Sequence, residues 1–218
     1  MESLAEIHAF WWDNKNFEEL SKHSIPRYPM VGNFFKVEEN LKWINKQQER
    51  FLAHIKEKIS NKREKLLRTV FSIYPQIATE RFKRKNITLV HNDAHVQNFS
   101  FPKDSENQKS KAILFDWDFW GSGIGCQDLV SMIGFWQYPD YRHLIEKDLI
   151  KHYFNLLLKY GVKTYSWDEC WYDYKLSALL NLYRIIRRWT VNIKNWWFDL
   201  ERILLVIRDL NCMELLES

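Results

Sequence analysis

Glycine is scarce in this chain: there are six in 218 residues, and Gly32 alone precedes position 121. A glycine-rich loop cradling phosphate is therefore not expected in the first half. Cysteine is as sparse. Cys126, Cys170 and Cys212 are odd in number, widely spaced and without a C-x-x-C, which argues against a disulfide scaffold or a zinc cluster. No apolar run approaches the ~18 residues of a spanning helix, and no signal peptide opens the chain, so no membrane partner is expected and a reducing cytoplasm is the default compartment. Nor does one sign of charge dominate: 32 Lys and Arg face 28 Asp and Glu, a net charge of +4. Lys83-Arg84-Lys85 and the neighbourhood of Arg184, Arg187 and Arg188 are the locally basic stretches. Such runs read as solvated faces, and no nucleic-acid partner is expected. Internal repeats and low-complexity linkers are absent too.

What remains describes an ordinary globular domain with 46% hydrophobic and 28% charged residues, long enough for one good-sized core. The eleven tryptophans are read as core and helix-contact residues. Leu4, Ile7 and Trp11 recur at helical spacing over 2–13. Residues 22–36, with Pro26, Pro29 and Gly32, read as a loop. A long helix follows with Leu41, Ile44, Phe51, Ile55 and Ile59 on one stripe, until Ser60-Asn61 breaks it. The next helix covers roughly 62–73 and is expected to end before Pro75. Asp140 is a candidate N-cap for a helix ending near Tyr160, with Gly161 as its stop. Ser166 and Glu169 fit a capping box. An amphipathic helix from about Asp199 to Leu216 closes the chain. Helices dominate, with two to four short strands.

Two apolar, β-branched runs, Ile87–Val90 and Ala112–Phe115, read as short buried strands. Each delivers polar residues at its end. The first leads into His91-Asn92-Asp93-Ala94-His95-Val96-Gln97-Asn98, the second into Asp116-Trp117-Asp118. Pro102 to Lys111, polar and charged, reads as the exposed turn between them. Burying unpaired carboxylates is costly, and a divalent cation with a phosphate would repay that cost. The spacing of His91, Asp93 and Asn98 is the H-x-D-x-x-x-x-N of kinase catalytic loops. There the Asp takes the acceptor hydroxyl's proton and the Asn holds Mg²⁺. Asp116 falls where the second metal-binding carboxylate is expected, and carboxylate plus amide oxygen suits a hard cation.

Val90–Asn98, Leu114-Phe115-Asp116-Trp117-Asp118 and Cys126-Gln127-Asp128-Leu129-Val130 together resemble the aminoglycoside phosphotransferase/choline kinase-like superfamily. Its pattern runs H-G-D-x-H-x-x-N, I-D-W-[DE] and G-x-x-x-x-D-L-[AV]. Within it the chain most resembles ecdysteroid-kinase-like and uncharacterised members. Leu4–Trp12 is similar to the helix that opens their C-terminal lobe, and residues 167–174 have the same flavour. The resemblance implies a mainly α fold with a few short strands, the C-terminal lobe of a protein-kinase-like phosphotransferase. Residues 1–86 would be its helical segment, 87–118 its catalytic and metal-binding region, and 119–218 its acceptor side. It implies ATP and Mg²⁺ as cofactors, a small-molecule hydroxyl as acceptor, Asp93 as base, and Asn98 and Asp116 as metal and cofactor ligands. His91, His95, Asp118 and Asp128 would support them, with Asp128 capping the helix Leu129–Gln137. Only three residues precede Leu4, so the family's N-terminal β lobe is expected to be missing here or supplied by an oligomer.

Three functions stand at this point. The first is a small-molecule kinase lobe. The second is a non-catalytic, truncated or pseudokinase-like module. The third is a metal-dependent hydrolase in which His91, Asp93 and His95 share one metal. Gly121-Ser122-Gly123-Ile124-Gly125 could be a phosphate cradle or a flexible turn. Trp167, Trp171, Tyr174 and Tyr183, with Asp168, Glu169 and Asp173, could form an aromatic pocket for a cationic acceptor, or could be helix-packing core and a solvated helix start.

Overall fold

The computed structural model describes residues 1–17, 19–20, 37–83, 85–103 and 111–217. The expected loop over 22–36 lies outside these, as do most of the turn after Pro102 and the side chains of Leu41 and Ile44. Helices α1 (Glu2–Phe10), α2 (Val37–Ile55) and α3 (Asn61–Phe82) come first. Four short strands follow: β1 (Thr88–Val90), β2 (Phe99–Ser100), β3 (Ile113–Leu114) and β4 (Gly121–Gly123). Then come α4 (Cys126–Leu129), running into a π-helical turn (Val130–Gly134), α5 (Pro139–Lys159), α6 (Trp167–Thr190) and α7 (Trp196–Asp209). A short 3₁₀ turn, Cys212–Leu216, ends the described chain. The mainly helical class and the number of strands agree with the sequence reading. No described helix is long and apolar enough to cross a membrane.

Helix α6 is the central post. Leu176, Leu179, Leu182, Ile185 and Ile186 are buried along it, and α2, α3, α4, α5 and α7 all pack on it. Its start is the expected capping box: Ser166 Oγ accepts from Glu169 N, and Glu169 accepts from Ser166 N at 2.7 Å. Helix α3 does not stop before Pro75; it continues to Phe82. Phe71, Tyr74, Ala78 and Phe82 on both sides of the proline are buried. Tertiary burial outweighs the one ladder bond that proline removes. Helix α5 starts one residue before the expected cap: Tyr138 is the N-cap, Pro139 takes the first turn, and Asp140 follows it. Gly161, at φ 99°, is the stop. Helix α7 starts at Trp196, three residues earlier than read, and ends at Asp209.

The strands form two separate antiparallel ladders, β1 with β4 and β2 with β3. Thr88 faces Gly123 and Phe99 faces Leu114. Gly121-Ser122-Gly123 is thus neither phosphate cradle nor flexible turn but a buried strand. At Gly125 an added Cβ would lie 2.4 Å from the Tyr153 hydroxyl and 2.8 Å from His8 Nδ1, so the missing side chain is what lets that pair close over it. The second apolar run is not buried as expected. Leu114 faces inward, but Ile113 is 68% and Phe115 46% exposed, because β3 belongs to a two-residue ladder with β2 and alternate side chains along it point away from the core.

Candidate active site

The loop after β1 is held by one carboxylate. Asp128 in α4 accepts the backbone N–H groups of His91 and Asn92, both at 2.7 Å. It also meets His8 Nε2 at 3.2 Å, and His8 Nδ1 meets the Tyr153 hydroxyl at 2.7 Å. Asp128 is fully buried. Its supporting role is therefore to anchor the loop, rather than to cap the helix that follows it. Asn92 carries φ 64°, a left-handed conformation that short polar side chains tolerate, and its amide donates to the Phe119 carbonyl at 3.0 Å.

His91 is buried, with both ring nitrogens engaged. Nε2–H donates to the Phe115 carbonyl at 2.9 Å, and Nδ1 accepts from Asp93 N at 3.2 Å. These contacts fix its tautomer and leave no lone pair for a metal, which removes it from the hydrolase's ligand set. Among the described residues, no group of three or more His, Cys, Asp or Glu is placed to hold a metal ion. Asn98 Nδ2 donates to the Asp93 carbonyl at 3.0 Å, and the Asn98 carbonyl accepts from Phe115 N at 3.0 Å. The β2–β3 register thus extends to Asn98 opposite Phe115, with Asp116 one residue further on. The two motifs meet through this ladder and through His91, and not through any pairing of β1 with β3.

Asp116 is exposed, at φ 65°, and its carboxylate has no hydrogen bond or ion pair among the described residues. Asp118, two residues on, is exposed in a turn. The Asn98 amide nitrogen is committed to the loop, which leaves its side-chain oxygen over; that oxygen and the Asp116 carboxylate are of the donor types a hard cation takes.

Asp93 is partly buried and ion-paired to Arg184 through Oδ1. Arg184 also donates at 3.1 Å to the Asn92 carbonyl and at 3.1 Å to Ser131 Oγ. His95 Nε2 lies 3.6 Å from Asp93 Oδ2, and its ring leans on Trp136 at 5.0 Å. Asp93 and His95 line a cavity of about 460 Å³ together with Arg184, Arg188, Asp199 and Arg202. Burial pushes the Arg188 guanidinium down, with Asp199 opposing, and pushes the Asp199 carboxyl up, with Arg188 opposing.

Sequence reasoning missed this wall. Arg184 and Arg188 were read as part of a solvated face, yet both are half-buried. The usable signal is their i, i+4 spacing, which puts both on one face of the helix that carries the mostly apolar run Leu176–Leu180. The aromatic pocket read near the start of α6 does not form. Tyr183 packs on Phe71 and Tyr74, and Trp167, Trp171 and Tyr174 stack in sequence at 5.7 and 6.0 Å. Asp173 is buried against Arg81, Glu169 completes the capping box, and Asp168 is exposed.

No curated protein and no solved structure matches the chain. A family model does, over residues 1–164, which take in α1, both motif loops and the Asp128 anchor. By that match the chain belongs to the ecdysteroid kinase-like family.

Proposed function

We propose that this chain is the catalytic-loop lobe of a protein-kinase-like phosphotransferase that passes the γ-phosphate of ATP to a hydroxyl of a small molecule. The observation that carries the reading is the fastening of the two motif loops to each other: His91 to the Phe115 carbonyl, and Phe115 N to the Asn98 carbonyl. It sets Asn98 and Asp116 on neighbouring backbone. Asn98 and Asp116 would hold Mg²⁺, which when bound neutralises charge on the phosphates.

Asp93 is the base. Arg184 holds Oδ1 of its carboxylate, and Oδ2, 3.6 Å from His95 Nε2, is the oxygen that accepts the acceptor's O–H. As the acceptor oxygen bonds to phosphorus and the bond to the ADP oxygen breaks, the hydroxyl proton passes to Asp93. Little covalent chemistry is asked of the protein beyond this orientation.

The test is Mg-ATP-dependent transfer to a panel of small alcohols, ecdysteroids among them, by the chain and by Asp93→Asn. Loss of a base is expected to lower turnover by about 10²–10⁴-fold with the helical spectrum unchanged. Equal turnover would end the assignment. A non-catalytic module is the second reading, and the ion pair that occupies the Asp93 carboxylate favours it. It expects small-molecule binding with no ATP turnover by either protein.

A further inference from the structure

The cavity beside Asp93 has more cations than anions. Three guanidiniums line it, those of Arg184, Arg188 and Arg202, against two carboxylates, those of Asp93 and Asp199. Arg184 is taken by Asp93, and Arg188 pairs with Asp199 through Nε at 2.8 Å. Arg202 donates to the Phe135 carbonyl and lies over the rings of Phe198 and Tyr138, at 4.4 and 5.6 Å. It has no ion-pair partner among the described residues. A partly desolvated cation with no carboxylate in direct contact is costly, and a ligand anion lowers that cost. The walls between the arginines are flat and apolar: Phe135, Trp136 and Phe198. A volume of about 460 Å³ suits a metabolite-sized ligand. Neither Asn98 nor Asp116 lines this cavity, so the arginines are set apart from the residues proposed to serve the nucleotide's phosphates.

Resting on the phosphotransferase reading, we infer that this cavity is the acceptor subsite and that it fits a hydroxylated small molecule with a flat apolar body and an anionic group such as a carboxylate. Arg188 and Arg202 take the anion, the aromatic walls take the body, and the hydroxyl reaches Asp93.

The experiment is calorimetric binding to the full chain of a matched pair of probes, hydroxymethylnaphthoate and its neutral amide. The carboxylate is expected to bind about tenfold tighter, which is about 1.4 kcal/mol. Arg188→Gln and Arg202→Gln should each bring that ratio toward one. Added salt should shrink the ratio in the unmodified chain, a reading that needs no variant. Equal binding of the pair, or no binding of either at millimolar concentration, would overturn the inference. Competition between Mg-ATP and the carboxylate would overturn it too, by assigning the arginines to phosphate. The two readings fail separately. Probe binding needs no phosphoryl transfer, so a charge preference that persists where Asp93→Asn changes no turnover would leave the subsite standing and the kinase assignment fallen.

Discussion

Two backbone amides of the candidate catalytic loop end on a single carboxylate, that of Asp128. Replacing it by alanine leaves both N–H groups and His8 without their acceptor in a buried site. Each orphaned donor costs about 1–3 kcal/mol. Asp128→Ala should therefore lose several kcal/mol in denaturant melts, and amide exchange at His91 and Asn92 should accelerate sharply; a melt unchanged from the parent would show that the anchor is dispensable. Cys212 yields a different expectation. Burial pushes its thiol up to about 12. Folding therefore favours the protonated form, and the stability this contributes is complete below the ordinary thiol range and lost as pH rises through about 12. At neutral pH, iodoacetamide should label Cys212 only after denaturation, and rapid labelling of the native chain would contradict its burial. At this scale the motif residues were legible because their spacing is local. His91, Asp93 and Asn98 sit within one loop. Arg184 lies 91 positions from Asp93 and is joined to it by the fold alone.

Elements were legible where their chemistry is written in adjacent residues. Ser166 and Glu169 announce the start of α6, and the structure contains the reciprocal bonds. Ser166→Ala should destabilise the chain by about 1 kcal/mol, measured as a shift of the denaturant midpoint with its slope unchanged. Pro75 misled because a local rule was asked to decide a tertiary question. The rule says that proline removes a ladder bond; it does not say that Tyr74 and Ala78 are wanted in the core. The glycines of β4 misled in the same way. Their backbone pairs with β1, which spacing in sequence could not reveal.

Across the whole molecule, α3 and α6 are tied by a buried pair. Arg81 Nε and Nη2 bond both oxygens of Asp173 at 2.7 and 2.6 Å, and the Tyr165 hydroxyl donates to the same carboxylate at 2.7 Å. Burial pushes the Asp173 carboxyl up, and Arg81 opposes that. Breaking a buried pair from one side is the costly case. Asp173→Ala should cost about 3–5 kcal/mol in equilibrium unfolding, while the double change Arg81→Met with Asp173→Leu should recover most of it. If the single variant is as stable as the parent, the pair carries no such weight. The family match also ends at residue 164, before Arg184, Arg188, Asp199 and Arg202. Resemblance could therefore point to the loop chemistry while being silent about the cavity's cationic wall.

The π-helical turn Val130–Gly134 sits between Asp128, which anchors the loop, and Phe135 and Trp136, which line the cavity. Such a turn accommodates one residue more than α-helical winding does. Deleting a single residue there would restore ordinary winding and leave the residues downstream near their present phase, because the wider turn already absorbs the extra residue's ~100° of rotation. The wider turn thus carries one surplus amino acid between anchor and wall without upsetting their phase.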